Sequence, residues 1–132
     1  MPAPISTAWP APPYPTQWIG DCVRGRRLTT LERAVNHMTD VPARLFGLRD
    51  RGRIAEGYHA DLVIFDPATV DAGPVEMVND LPGDTGRLVS PAVGVDRVLV
   101  GGVDIVIDGR ETGARPGQVI RSGADTYTAD LV

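Results

Sequence analysis

Glycine and proline recur so closely along this 132-residue chain that long helices have no room. There are fifteen glycines and twelve prolines, against two tryptophans, three tyrosines and two phenylalanines. Such a chain folds into short elements joined by many turns, as one domain or as a piece of a larger one. Half of the prolines fall in residues 1–15, where Pro2, Pro4, Pro10, Pro12, Pro13 and Pro15 forbid regular helix or central strand. An extended arm is expected there. A plain linker is the simpler reading and a proline-rich ligand for a partner domain the functional alternative.

The pattern changes at Thr16. Trp18, Ile19, Cys22 and Val23 are spaced for one face of a helix that stops at Gly25. Thr29 followed by Glu32 reads as a capping box. Leu31, Ala34, Val35 and Met38 then mark one apolar stripe. Asp40 and Pro42 open a third, short helix carrying Ala43, Leu45 and Phe46, with Gly47 as its stop.

Beyond Gly52 and Gly57 the signals turn to strand. Leu62-Val63-Ile64-Phe65 between Asp61 and Asp66 reads as a buried strand. Residues 67–92 read as a long loop with one short strand at Arg87-Leu88-Val89. Val98-Leu99-Val100 and Val103-Asp104-Ile105-Val106-Ile107 flank Gly101-Gly102, a hairpin signature because primed turns need positive φ. Asp108-Gly109 is a second turn. Gly113, Pro116 and Gly117 form a third, leading into a strand at Gln118-Val119-Ile120-Arg121. The predicted fold is therefore α+β. It has an arm over 1–15, a helical segment of two to three helices over 16–50, a mainly antiparallel β-sandwich half over 51–123 and a polar tail over 124–132.

Charge excludes some functions. Every basic side chain is an arginine, and the net charge is −4. The groups Arg24, Arg26, Arg27 and Arg49, Arg51, Arg53 are interleaved with carboxylates and make a solvated surface rather than a nucleic-acid face. No apolar run approaches the ~20 residues of a membrane span. Cys22 is the only cysteine, so no internal disulfide forms. With no secretory signal at the N-terminus, a cytoplasmic location is expected.

Chemistry-bearing residues are few. His37 and His59 stand in no H-x-H or H-E-x-x-H arrangement, and no lysine could bridge a binuclear metal site. Cys22 lies on an apolar helix face, where an inert thiol is the default. A small hydrolase built on Asp61, His59 or Cys22 has no constellation behind it. No catalytic, cofactor-binding or metal-ligating residue is therefore assigned.

Several segments together resemble one family. They are Tyr14-Pro15-Thr16, Trp18, Val23-Arg24, Leu31-Glu32-Arg33-Ala34-Val35, Met38-Thr39 and Pro42-Ala43. They continue with Leu45 to Ile54, Ala60 to Pro67, Asp80-Leu81-Pro82-Gly83, Arg87-Leu88, Gly94-Val95 and Val98-Leu99-Val100. Asp108-Gly109-Arg110, Thr112-Gly113 and Arg115-Pro116-Gly117 close the match. This pattern resembles the C-terminal region of N-acyl-D-amino-acid deacylases (D-aminoacylases) of the amidohydrolase superfamily. Gly101, where such proteins usually have Asn, and Asp84, where a second Gly is common, depart from it.

The resemblance implies a metal-dependent hydrolase of non-peptide C–N bonds. Its TIM barrel, metal ligands and general acid/base would lie outside this chain, and zinc is expected only in a complete family member. It also implies a β domain built jointly with strands from elsewhere. The faces Trp18/Ile19/Val23 and Leu31/Val35/Met38 would then pack on a barrel. Self-association or a separately encoded barrel subunit is expected as partner. The alternative is a non-catalytic β-sandwich module for binding or oligomerisation.

Overall fold

A computed structural model describes residues 14–127. The arm expectation for residues 1–13 lies outside that range. Tyr14 and Pro15 are helical rather than extended: α1 (Tyr14–Gln17) places Pro15 in a first turn, where its missing N–H costs little. The chain then widens into a π-helix, Trp18–Gly25. Its i→i+5 bonding is carried into the cap by Arg26 N–H donating to Asp21 O at 2.7 Å.

Helix α2 (Leu31–Met38) starts one residue later than the sequence suggests. Thr30, not Thr29, is the N-cap, and its hydroxyl accepts from Arg33 N–H at 3.3 Å. Glu32 therefore sits one position too early for the standard box. Its carboxyl is still held below the usual range by its own backbone N–H and then by the Thr30 hydroxyl. Helix α3 (Asp40–Leu45) carries Pro42 at its third position. Gly47, at φ +63°, ends it.

The stripe of α2 turns inward on Ala34, which is fully buried. Ile19, Ala43 and Val70 are the other buried hydrophobic residues among those described. The helical segment thus closes on itself and on the strand that follows Val70. Trp18, Val23, Leu31, Val35 and Met38 are half-buried, so the faces expected to lie bare are largely covered.

Beyond the helices come three antiparallel sheets. The largest runs in the order β1 (Leu62–Phe65), β6 (Val95–Val100), β7 (Val103–Ile107), β8 (Arg110–Glu111). Val63 opposes Val98 and Val98 opposes Val106, so β-branched pairs line one face. Gly101 and Gly102 make the β6–β7 turn at φ +56° and +79°, as the sequence indicates.

A short ribbon pairs β2 (Asp71–Ala72) with β5 (Ala92–Val93) under the π-helix. A longer hairpin pairs β3 (Glu76–Leu81) with β4 (Thr85–Val89). Mixed α+β architecture with antiparallel sheets is as expected, but three details differ. Residues 67–92 hold the short strand expected at Arg87-Leu88-Val89, within β4, but also β2 and β3, and β3 was hidden because Met77-Val78-Asn79-Asp80 lacks the β-branched run that marks a strand. Residues 118–121 form no strand. And β1 is not buried, since Val63 is 56% and Ile64 47% exposed. It is an edge strand, with no strand on its outer side among the described residues.

Candidate functional site

The residues that could carry chemistry lie apart or are engaged structurally. Cys22 is half-buried in the π-helix, and His37 is exposed at the last turn of α2. His59 is exposed ahead of β1, where its N–H donates to Asp50 O at 2.9 Å. Asp61 ties two turns together: one carboxylate oxygen accepts from Gly101 N–H at 2.9 Å and the other pairs with Arg51. That is the work of a brace, not of a base. Among the described residues no three His, Cys, Asp or Glu side chains are placed to hold a metal ion. The donor set present does not fit a zinc centre, which needs at least three protein ligands.

The concave features lie instead at the junction between helices and sheets. A cleft of about 300 Å³ is walled by the α3 end and the following loop, with Asp40, Arg44, Asp50, Arg51, Arg53 and Tyr58 among its lining. Three of its cations are already engaged. Arg44 pairs with Asp40 at 2.9 Å, and Arg51 pairs with Asp61. Arg53 donates to the Tyr58 phenolic oxygen at 2.8 and 3.2 Å and lies over its ring, and the phenol raises the guanidinium above its usual range. A smaller neighbouring hollow of about 240 Å³ is lined by Arg49, His59, Val119 and Ile120. The alternation of Arg49, Arg51 and Arg53 was the one sequence signal for this junction. Read as a solvated face, it gave no hint that the three side chains anchor separate segments.

A second joint lies between the π-helix and the β2 ribbon. Arg24 donates to the carbonyl of Val70 at 2.7 Å and to the Asp71 carboxylate at 2.7 Å. Gly20 lets Asp71 approach, because a Cβ there would lie 2.5 Å from the carboxyl group. These groups fasten and shape; none presents a nucleophile, a base and an oxyanion donor together.

Comparison with known proteins gives the chain its family. The sequence pattern of the amidohydrolase family matches residues 5–106. The chain is 40% identical over 121 residues to N-acyl-D-aspartate deacylase of Alcaligenes xylosoxydans xylosoxydans, covering 84% of this chain and 22% of that protein. It is 36% identical over 117 residues to D-aminoacylase of the same organism, covering 82% and 22%. Its backbone is similar to the crystal structure of a D-aminoacylase, with a TM-score of 0.61 and 38% identity over 76% of this chain and 19% of that one. It is similar also to N-acyl-D-glutamate deacylase from Bordetella bronchiseptica, solved with zinc and a phosphonate inhibitor, with a TM-score of 0.61 and 39% identity over 81% and 20%. The chain spans about a fifth of the length of these relatives. By sequence and by backbone, it belongs to the amidohydrolase family, as a partial match to its N-acyl-D-amino-acid deacylases.

Proposed function

We propose that this chain is the C-terminal part or subunit of a D-aminoacylase-like amidohydrolase, catalytically incomplete alone, whose whole protein hydrolyses the N-acyl bond of N-acyl-D-amino acids. The observation that carries this reading is the coverage: most of the chain aligns, yet it spans about a fifth of each relative. The donor set described above adds support, since the zinc chemistry of such a protein would have to come from residues elsewhere.

The partner is a barrel-bearing polypeptide that covers the open β1 edge. Charge supports this over pairing of β1 with its own copy. An antiparallel β1–β1 pair centred on Val63 and Ile64 would set Asp61 opposite Asp66 at both ends, and like charges directly opposite destabilise a ladder.

The test uses the purified chain with N-acetyl-D-aspartate, N-acetyl-D-glutamate and an N-acetyl-D-amino acid with an apolar side chain, with and without added zinc. No turnover and no stoichiometric zinc are expected. Turnover accompanied by one or more tightly bound zinc ions would overturn the proposal.

A further inference from the structure

The larger cleft owes one wall to the far end of the chain. Tyr127 lines it beside residues of the α3 end, 80 positions earlier (127 − 47). We propose that residues 121–127 form a clasp over the α3 terminus, and that this clasp opens as a local unit, dismantling the cleft while the main sheet stays intact.

Four contacts close it. Tyr127 N–H donates to Gly47 O at 2.7 Å, and Arg49 N–H donates to Asp125 O at 3.4 Å. These two bonds make Leu48 and Thr126 an isolated antiparallel bridge. The Arg49 guanidinium donates to Thr126 O at 3.1 Å and lies 4.7 Å from the centre of the Tyr127 ring. That last contact is a cation–π pair, which holds an aromatic in place without an apolar pocket. Gly47 makes the fit possible twice over. Its φ of +63° favours a residue without Cβ, and a Cβ there would overlap the Tyr127 carbonyl oxygen.

The clasp is also folded in itself. Asp125 N–H donates to Arg121 O at 2.9 Å, and the Asp125 carboxylate accepts from Arg121 N–H at 2.8 Å. Gly123 N–H donates to the Thr126 hydroxyl at 2.9 Å. Its tether to the sheet is loose by contrast. Residues 113–120 form no strand, and Val119 is 78% exposed. A self-bonded segment joined to the sheet by an unpaired stretch is the kind of unit that opens below the free energy of global unfolding. The cleft itself carries no ligand proposal, because its guanidinium groups are engaged as described.

Native-state hydrogen exchange on the full chain tests the clasp. In the unaltered chain the Tyr127 amide is expected to exchange well below the free-peptide rate. Gly47→Ala should speed it by about tenfold or more, because its Cβ would overlap the Tyr127 carbonyl oxygen only while the clasp is closed. Arg49→Ala, which leaves the backbone free to fold, should speed it by about two- to fivefold through loss of the cation–π contact. In both variants the protected amides of β6 and β7 should keep their rates. A Tyr127 amide exchanging at the free-peptide rate in the unaltered chain would overturn the proposal. So would unchanged exchange at Tyr127 in the Arg49→Ala chain, or an equal acceleration in β6 and β7.

Discussion

Gly20 has no side chain because Asp71 occupies the space. The π-helix brings this position against β2, and the Asp71 carboxylate fills the gap while it pairs with Arg24. Both partners of that pair are more than a third exposed, so solvent screens their attraction. The close approach matters more than the charge. Gly20→Ala should therefore destabilise the chain by about 1–3 kcal/mol through overpacking, measured by urea unfolding. An unchanged unfolding midpoint would show that the π-helix can move away from β2 freely. Nothing in the sequence around Gly20 announces this: a lone glycine in an apolar helical pattern reads only as a weak point. Its reason is a residue 51 positions away (71 − 20), and contacts at such separation leave no local trace.

At the scale of elements, the hairpin of β3 and β4 stands mostly on its own cross-strand contacts. One of them is a fork of two hydrogen bonds, Arg87 Nε and Nη2 to the two Asp80 carboxylate oxygens, at 2.7 and 2.6 Å. Those bonds hold the Asp80 carboxyl below its usual range. A folded-state pKa below the unfolded value stabilises the hairpin above the unfolded pKa of about 4, and the stabilisation fades as pH falls through the folded one. Backbone amide shifts of Arg87 and Leu88 should accordingly move toward random-coil values as pH drops below about 4. Asp80→Asn should remove that acid step; the same acid titration in the variant would refute the assignment.

Legibility differed from element to element, and for physical reasons. The β6–β7 hairpin was plain because Gly-Gly between β-branched runs admits few other structures. Helices α2 and α3 were plain from their apolar spacing, apart from a one-residue shift of the α2 cap between two adjacent threonines. Strand β3 was not, because its residues are those of a loop and only pairing with β4 makes them a strand. The absent strand at residues 118–121 is the converse. Val119 and Ile120 have the right propensity, but among the described residues no neighbouring strand receives them. The junctions built by Arg24, Arg49, Arg51 and Asp61 depend on tertiary placement and were not legible.

Across the whole described chain, burial is thin. Only Ile19, Ala34, Ala43 and Val70 are buried hydrophobic residues, and Val70 alone contributes about 1.5–3 kcal/mol by its burial. Meanwhile Phe46, Leu45, Ile54, Met77, Val63 and Ile64 face outward. A chain with so much uncovered apolar surface should not run as a monodisperse monomer. Size-exclusion chromatography with light scattering is expected to show larger species. Leu45→Lys with Phe46→Lys should reduce them by charging the uncovered apolar surface at the α3 end. A sharp monomer peak for the unaltered chain would contradict the incomplete-fold reading, whatever the enzyme assays show.

The four-residue core has a thermal consequence as well. The heat capacity gained on unfolding comes mainly from newly wetted apolar surface, and here little of it is dry to begin with. The stability curve of the isolated chain is therefore expected to be shallow, with a low summit and gentle flanks. Warming and cooling both find it with little margin. A subunit that covers its open faces would add apolar surface to the transition, and with it curvature and a sharper calorimetric melt than is expected of the chain by itself.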